Sequence, residues 1–130
     1  AWDATNVIDA GVAVVTPIDL DHTDRLGGTP AEIATEKSGI VKQDATVIMA
    51  QQPVEAAQVL LKKAVEVGAT VAREGLEFGV LDRQVAVGGQ MMTLRGLGGE
   101  YTEVYLPLHG AHQAHNAAVA LAAVEAFFGV

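Results

Sequence analysis

Two residues of the segment 21–42, DHTDRLGGTPAEIATEKSGIVK, stand out for the chemistry they could do: its one histidine, His22, and, fifteen positions later, an oddly placed lysine, Lys37. An imidazole offers a lone pair to a metal or a proton, whereas an ammonium offers only donors. His22 follows an apolar run, and Lys37 falls on a short helix with its own start signal. Thr29 predicts the N-cap and Pro30 the first helical position, where its missing N–H costs nothing. Glu32, three residues after Thr29, completes a capping box, and Gly39 predicts the stop. Helical spacing sets Lys37 beside Ile33 and Ala34, so it shares an apolar stripe, an unusual place for lysine. Taken alone, Lys37 is a snorkelling stem whose ammonium reaches water, Asp21 or Asp24. Taken alone, His22 is a loop histidine hydrogen-bonded to Asp19 or Asp24.

These residues need a scaffold, and hydrophobic period predicts one. Residues 12–18 form a β-branched, nearly continuous apolar run, the pattern of a buried parallel strand. Residues 45–50 form another. With the Thr29 helix between them they make a βαβ unit, whose loop at the carboxyl end of the first strand holds His22. Ligands of open α/β sheets bind at such ends. Residues 53–67 predict an amphipathic helix with Val54, Ala57, Leu61 and Ala64 on one stripe and Gly68 as its cap. Residues 69–72 predict the next strand. Between residues 76 and 108 the period changes to two. Gly88-Gly89 suits a two-residue hairpin turn, and a second turn falls at Gly98-Gly99, so the reading is a small antiparallel meander. A final helix over 113–128 is apolar on most faces and predicts extensive burial. The fold class is α/β, a parallel sheet followed by that meander.

At 130 residues, half of them hydrophobic, the chain can bury a core and is globular rather than disordered. No apolar run is long enough to cross a bilayer. The absence of cysteine excludes disulfides and thiolate metal sites, which fits the cytosol. A net charge of −8 argues against a nucleic-acid surface. The glycines of Gly96-Leu97-Gly98-Gly99 lack a following Lys-Ser or Lys-Thr, so they read as a turn. Nowhere does the chain carry a GxxxxGK[ST] phosphate loop.

Three segments in order resemble folylpolyglutamate synthase and dihydrofolate synthase, of the Mur ligase superfamily. That family carries a segment like DHxxxLGxTxxxIAxEKAGIxK. The chain matches it at Asp21-His22, Leu26-Gly27, Thr29, Ile33-Ala34, Glu36-Lys37, Gly39-Ile40 and Lys42, and departs at Ser38, where alanine is usual. Residues 3–7 resemble LDATNV with Trp2 in place of leucine, and residues 110–117 resemble GxHQxxNA. The resemblance implies the later part of a central ATP-binding domain, residues 1–130. A phosphate loop and a first magnesium-binding glutamate would precede it, and a C-terminal ligase domain would follow.

For the parent enzyme the resemblance implies an ATP-dependent ligase. It would add L-glutamate to folate or dihydropteroate through an acyl phosphate, as a cytoplasmic monomer without nucleic-acid or membrane partners. Lys37 would be carbamylated, which turns an amine into an anionic oxygen ligand of the kind Mg2+ prefers. Carbamylation needs a neutral amine, and the apolar stripe favours that form. His22 would be its partner ligand. Trp2, Asp3 and Ala4 would contact the pterin, although Asp3 also reads as a turn or cap residue. Asn116, with His112 and Gln113, would contact the nucleotide. An amide both donates and accepts, which suits adenine, although Asn116 also reads as a helix-start residue making local bonds. His109 and His115 read as packing or solvation. The acidic charge sits awkwardly with ATP and a folate polyglutamate, so cations and basic residues outside this segment would have to offset it. Two rival readings remain open: a cell-wall Mur ligase, which shares the lysine but has HN where this chain has HQ, and a non-catalytic module that retains the scaffold.

Overall fold

A computed structural model describes residues 5–9, 11–18 and 28–129, the first stretch through its backbone alone. The chain divides into two units, Ala1–Val71 and Ala72–Val130.

The first unit is built on a sheet of order β1-β2-β3-β4, with β1 at Thr5–Asp9, β2 at Val12–Val15, β3 at Thr46–Met49 and β4 at Thr70–Arg73. β2 and β3 run parallel, in register from Val12↔Thr46 to Val15↔Met49. All four side chains of β2 are buried, as expected for a strand covered on both faces. The parallel pairing agrees with the sequence pattern, and one further strand joins it. β1 pairs antiparallel with β2, from Thr5↔Val15 to Asp9↔Val12, with a register shift between Val7 and Asp9. The sequence TNVID has neither the length nor the clean alternation that announces a strand.

Helix α1 spans Pro30–Lys37 and α2 spans Val54–Val67. Both send side chains into one core that contains Val15, Ile18, Ile33, Ala34, Val41, Val47, Met49, Ala56, Leu60 and Ala64. Gly68 ends α2 with φ 73°, the left-handed conformation in which a Cβ is costly. The face that α2 buries differs from the predicted stripe. Ala56, Leu60 and Ala64 are buried, while Val54 is 70% exposed. Ala56, Leu60 and Ala64 recur at intervals of four, so they stack on one side, and Val54 in the first turn points away from it.

Gln52 ties the exits of two strands together. Its side chain accepts from the Ile18 amide at 2.9 Å and donates to the Thr16 carbonyl at 2.8 Å. The backbone just beyond β2 therefore has hydrogen-bond partners although the ladder has ended.

In the second unit, β5 (Gly79–Ala86), β6 (Gly89–Arg95) and β7 (Glu100–Leu106) form the expected antiparallel meander. The hairpin turn is Val87-Gly88, one residue earlier than predicted, because Ala86 pairs with Gly89. The two glycines divide the work. Gly88 supplies the positive φ, 75°. Gly89 supplies the missing Cβ, which would overlap the Leu106 carbonyl and lie 2.8 Å from Pro107 Cα.

Helix α3 spans Ala111–Phe128, two residues longer at its start than predicted. It lies against β5 and β6 through a stripe of small residues, Ala114, Ala118, Val119, Ala122 and Ala123. The expectation of extensive burial holds for that stripe and for Glu125 beside it, while Val124, Phe127 and Phe128 are exposed. No helix among the described residues is long and apolar enough to cross a membrane.

Candidate functional site

The start of α1 forms as its sequence predicts. The Glu32 amide donates to Thr29 Oγ1 at 3.1 Å, and the Thr29 amide donates to Glu32 Oε1 at 2.9 Å. These bonds to the Thr29 backbone and then its hydroxyl hold the Glu32 carboxyl below its ordinary range. The helix stops differently from the expectation. It tightens after Lys37 into a 3-10 turn, Ser38–Ile40, and Gly39 lies inside that turn rather than in a left-handed cap. Ser38, where the resembling family has alanine, donates its hydroxyl to the Thr35 carbonyl at 2.7 Å. That bond satisfies one of the carbonyls a helix end leaves open.

Lys37 is thus held on the last turn of a doubly capped helix. It is half-buried, while Ile33 and Ala34 beside it are buried. His22, Trp2, Asp3 and Ala4 lie outside the described residues. Among the described residues, no group of three or more His, Cys, Asp or Glu side chains could hold a metal ion. An unmodified Lys37 has no lone pair for a cation and fits a metal site only as its carbamate.

The second set of candidates shares one short stretch of helix. His112, Gln113 and Asn116 occupy the first two turns of α3. His112 and Asn116 are exposed and Gln113 is half-buried. At spacings of three and four, Gln113 and His112 are both neighbours of Asn116 on the helix surface. Gly110 precedes them as N-cap with φ 102° and ψ 146°, a conformation natural only to glycine.

Polar contacts of three kinds that sequence reasoning missed hold this helix, through Gln90, the Glu74–His115 pair and Glu125. Gln90, 1% exposed, donates its amide to the Leu108 carbonyl at 2.8 Å and the Gly110 carbonyl at 2.9 Å. His115 donates from Nδ1 to Glu74 Oε2 at 2.6 Å, the glutamate side chain being 4% exposed. At the other end, buried Glu125 accepts from the amides of Leu97 and Gly98, at 2.7 and 3.0 Å, and from the Tyr101 hydroxyl at 2.8 Å. The bond to Glu125 pushes the Tyr101 hydroxyl above its ordinary value. A signal for Gln90 was available: Met92 and Leu94 face inward, so the alternation of β6 turns position 90 inward too.

The Mur ligase middle domain model matches residues 3–124. The chain belongs to the Mur ligase middle-domain family. Among individual relatives, this Mur ligase segment is 56% identical over 134 residues to the dihydrofolate synthase/folylpolyglutamate synthase of Mycobacterium tuberculosis, covering 98% of the chain and 28% of that protein. It is 40% identical over 126 residues to the protein of the same description from Escherichia coli, covering 95% of the chain and 27% of that protein. The M. tuberculosis folylpolyglutamate synthase complexed with ADP superposes with a TM-score of 0.84 at 55% identity, over 91% of the chain and 27% of that structure. A folylpolyglutamate synthase structure with AMPPCP and folate gives a TM-score of 0.84 at 30% identity, over 91% of the chain and 29% of that structure. The chain therefore spans under a third of the length of these relatives. The family and its α/β architecture agree with what the three sequence segments implied.

Proposed function

We propose that the chain is the later part of the central ATP-binding domain of a folate ligase. The parent enzyme adds L-glutamate to folate or dihydropteroate at the expense of ATP. One observation carries this reading: 56% identity across 98% of the chain to a dihydrofolate synthase/folylpolyglutamate synthase. Its fold match at a TM-score of 0.84 to an ADP complex of such an enzyme supports the same conclusion.

In that reaction a carboxylate of the acceptor attacks the terminal phosphorus of ATP and ADP leaves. The amine of L-glutamate then attacks the acyl carbon, phosphate departs, and an amide remains. Asn116 offers adenine a donor and an acceptor on one side chain, with Gln113 and His112 beside it. Trp2, Asp3 and Ala4 hold the pterin, Asp3 accepting from its amino group. Lys37, as its carbamate, and His22 would hold a magnesium ion, whose positive charge offsets that of the phosphoryl oxygens. The capping box of α1 and the Ser38 bond fix the turn from which Lys37 extends, so the charge it carries is positioned before substrate arrives.

The test is Lys37→Ala in the full-length protein. Ligation should fall by at least about a thousandfold, and a carbamate carbon signal seen in wild type with 13C-bicarbonate should vanish. Ligation at the wild-type rate would eliminate the proposed role of Lys37. Because residues 1–130 hold no phosphate loop, they should neither ligate nor bind ATP tightly by themselves. Micromolar ATP binding by this segment in calorimetry would contradict the assignment to a part of the domain.

A further inference from the structure

Gln90 stands out as a polar side chain that is fully enclosed yet completely used. It sits on β6 opposite Leu106 of β7 and Val85 of β5. Its oxygen accepts from Arg83 Nη1 at 3.2 Å. That contact fixes the orientation of the amide, because a guanidinium can only donate. Both N–H bonds are then aimed at carbonyls, those of Leu108 and Gly110. The Gly110 carbonyl is also the first acceptor of α3, taking the Ala114 amide at 3.4 Å, a long bond. The residue that starts α3 is therefore held more closely by a side chain from β6 than by its own helix.

We propose that Gln90 is a positioning residue for nucleotide binding: its amide fixes the backbone at Leu108 and Gly110, and through it the turn that presents His112, Gln113 and Asn116. The proposal rests on the reading of that turn as the nucleotide contact. Gly110 alone would not hold the turn. Its φ of 102° lies in a region where glycine has wide freedom, so the chain can swivel at the helix entrance unless something outside the backbone restrains it. The buried amide supplies that restraint with two donors on one rigid plane. The bond between Glu74 and His115 secures the same turn from a second side and leaves its entrance to Gln90. The consequence for function is selective. Misplacing the turn by a fraction of an ångström weakens adenine contacts that depend on direction, while the folate and glutamate contacts, made by other residues, keep their geometry.

The experiment is steady-state kinetics on full-length Gln90→Met and Gln90→Glu. The first removes both donors at similar volume, and the second sets a carboxylate against two carbonyls. The KM for ATP should rise about tenfold, more for Gln90→Glu, with kcat within about twofold and the KM values for folate and glutamate unchanged. Hydrogen exchange at the Ala114 amide should quicken while that at Met92 and Leu94 does not. An equal rise in all three KM values, or loss of cooperative unfolding in both variants, would overturn the proposal, since Gln90 would then hold the fold and not the turn. Asn116→Ala in the same assay separates the two layers of argument. If Asn116→Ala raises the KM for ATP and the Gln90 variants do not, the positioning role alone fails. If none of the three raises it, the nucleotide reading of α3 fails and takes this proposal with it.

Discussion

Glu125 and Gly96 should behave as a single unit in a double-mutant cycle. A Cβ built on Gly96 would intrude on the Glu125 carboxylate, 2.8 Å from its Cδ. The carboxylate cannot simply swing aside, because it accepts three hydrogen bonds and is 4% exposed. Glu125→Ala strands those donors. Leu97 is half-buried, so its amide bears most of the loss, while Gly98 and Tyr101 are exposed enough for water to replace the glutamate. Hydrogen bonds to a charged acceptor contribute about 1.5–3 kcal/mol each when enclosed, and one enclosed bond with two wetted ones gives about 2–4 kcal/mol for Glu125→Ala. Gly96→Ala should cost about 2 kcal/mol by displacing the same carboxylate. With Glu125 already removed, the new methyl meets no carboxylate, and Gly96 has no positive φ to strain, so the second step should cost under about 0.5 kcal/mol. The coupling energy is then about 1.5–2 kcal/mol, read from urea unfolding curves of the four proteins. Additivity within about 0.5 kcal/mol would refute the claim that Gly96 is glycine because Glu125 needs the space.

Leu60→Ala should destabilise by about 3 kcal/mol in the same assay, whereas Val54→Ala should stay within about 0.5 kcal/mol; equal effects would restore the α2 stripe that the sequence suggested. Glu103 has φ 55° where Thr102 and Glu103 together oppose Thr93, a bulge position that favours glycine. Glu103→Gly should therefore stabilise by about 0.5–1 kcal/mol, and a lower melting temperature would count against the bulge. Tyr101 has its ionisation raised by the bond to Glu125, so its contribution is complete below about pH 10 and is lost as pH climbs through the raised value. Wild type should lose melting temperature more steeply than Tyr101→Phe above that pH, and parallel profiles would discount the bond. Glu32 is lowered from 4.5, so its share of α1 stability is present above that value and disappears as pH falls through the lowered one. Acid titration of Glu32→Gln, which removes the titrating carboxyl itself, should be flatter than wild type over that range, as followed by far-UV circular dichroism.

What could be read in advance was decided by neighbours along the chain. Thr29, Pro30 and Glu32 announce a helix start because every bond of the capping box joins residues three apart. Gly68 announces an end for a similarly local reason. Gly88-Gly89 was legible as a turn, but the roles of its members were not. One needs freedom of φ, the other needs space beside Leu106, and sequence writes both as glycine. The three motif segments gave the family, which the match over residues 3–124 bears out. Contacts between residues far apart did not name their partners, even where alternation turned a polar residue such as Gln90 inward. The bond between Glu74 and His115 spans 41 positions and that between Gln90 and Gly110 spans 20. Glu125 was hidden inside an apolar helix pattern, although it is buried while Val124, Phe127 and Phe128 are not. Such polar anchors depend on how strands and helices meet, and the hydrophobic period that predicts the elements says little about them.

The alanine-rich face of α3 has a mechanical consequence. Methyl groups spaced along a helix give a shallow surface with few teeth to interlock, so packing alone offers modest resistance to sliding along the axis. Over 18 residues the helix is a rod of about 27 Å. Its lengthwise registration falls to the polar tethers near its two ends, Gln90 and Glu74 at the head and Glu125 at the tail. Releasing the tail would let the rod creep, and the head would feel it, so a change at Glu125 would shift the turn at Gly110, four turns away, without touching it.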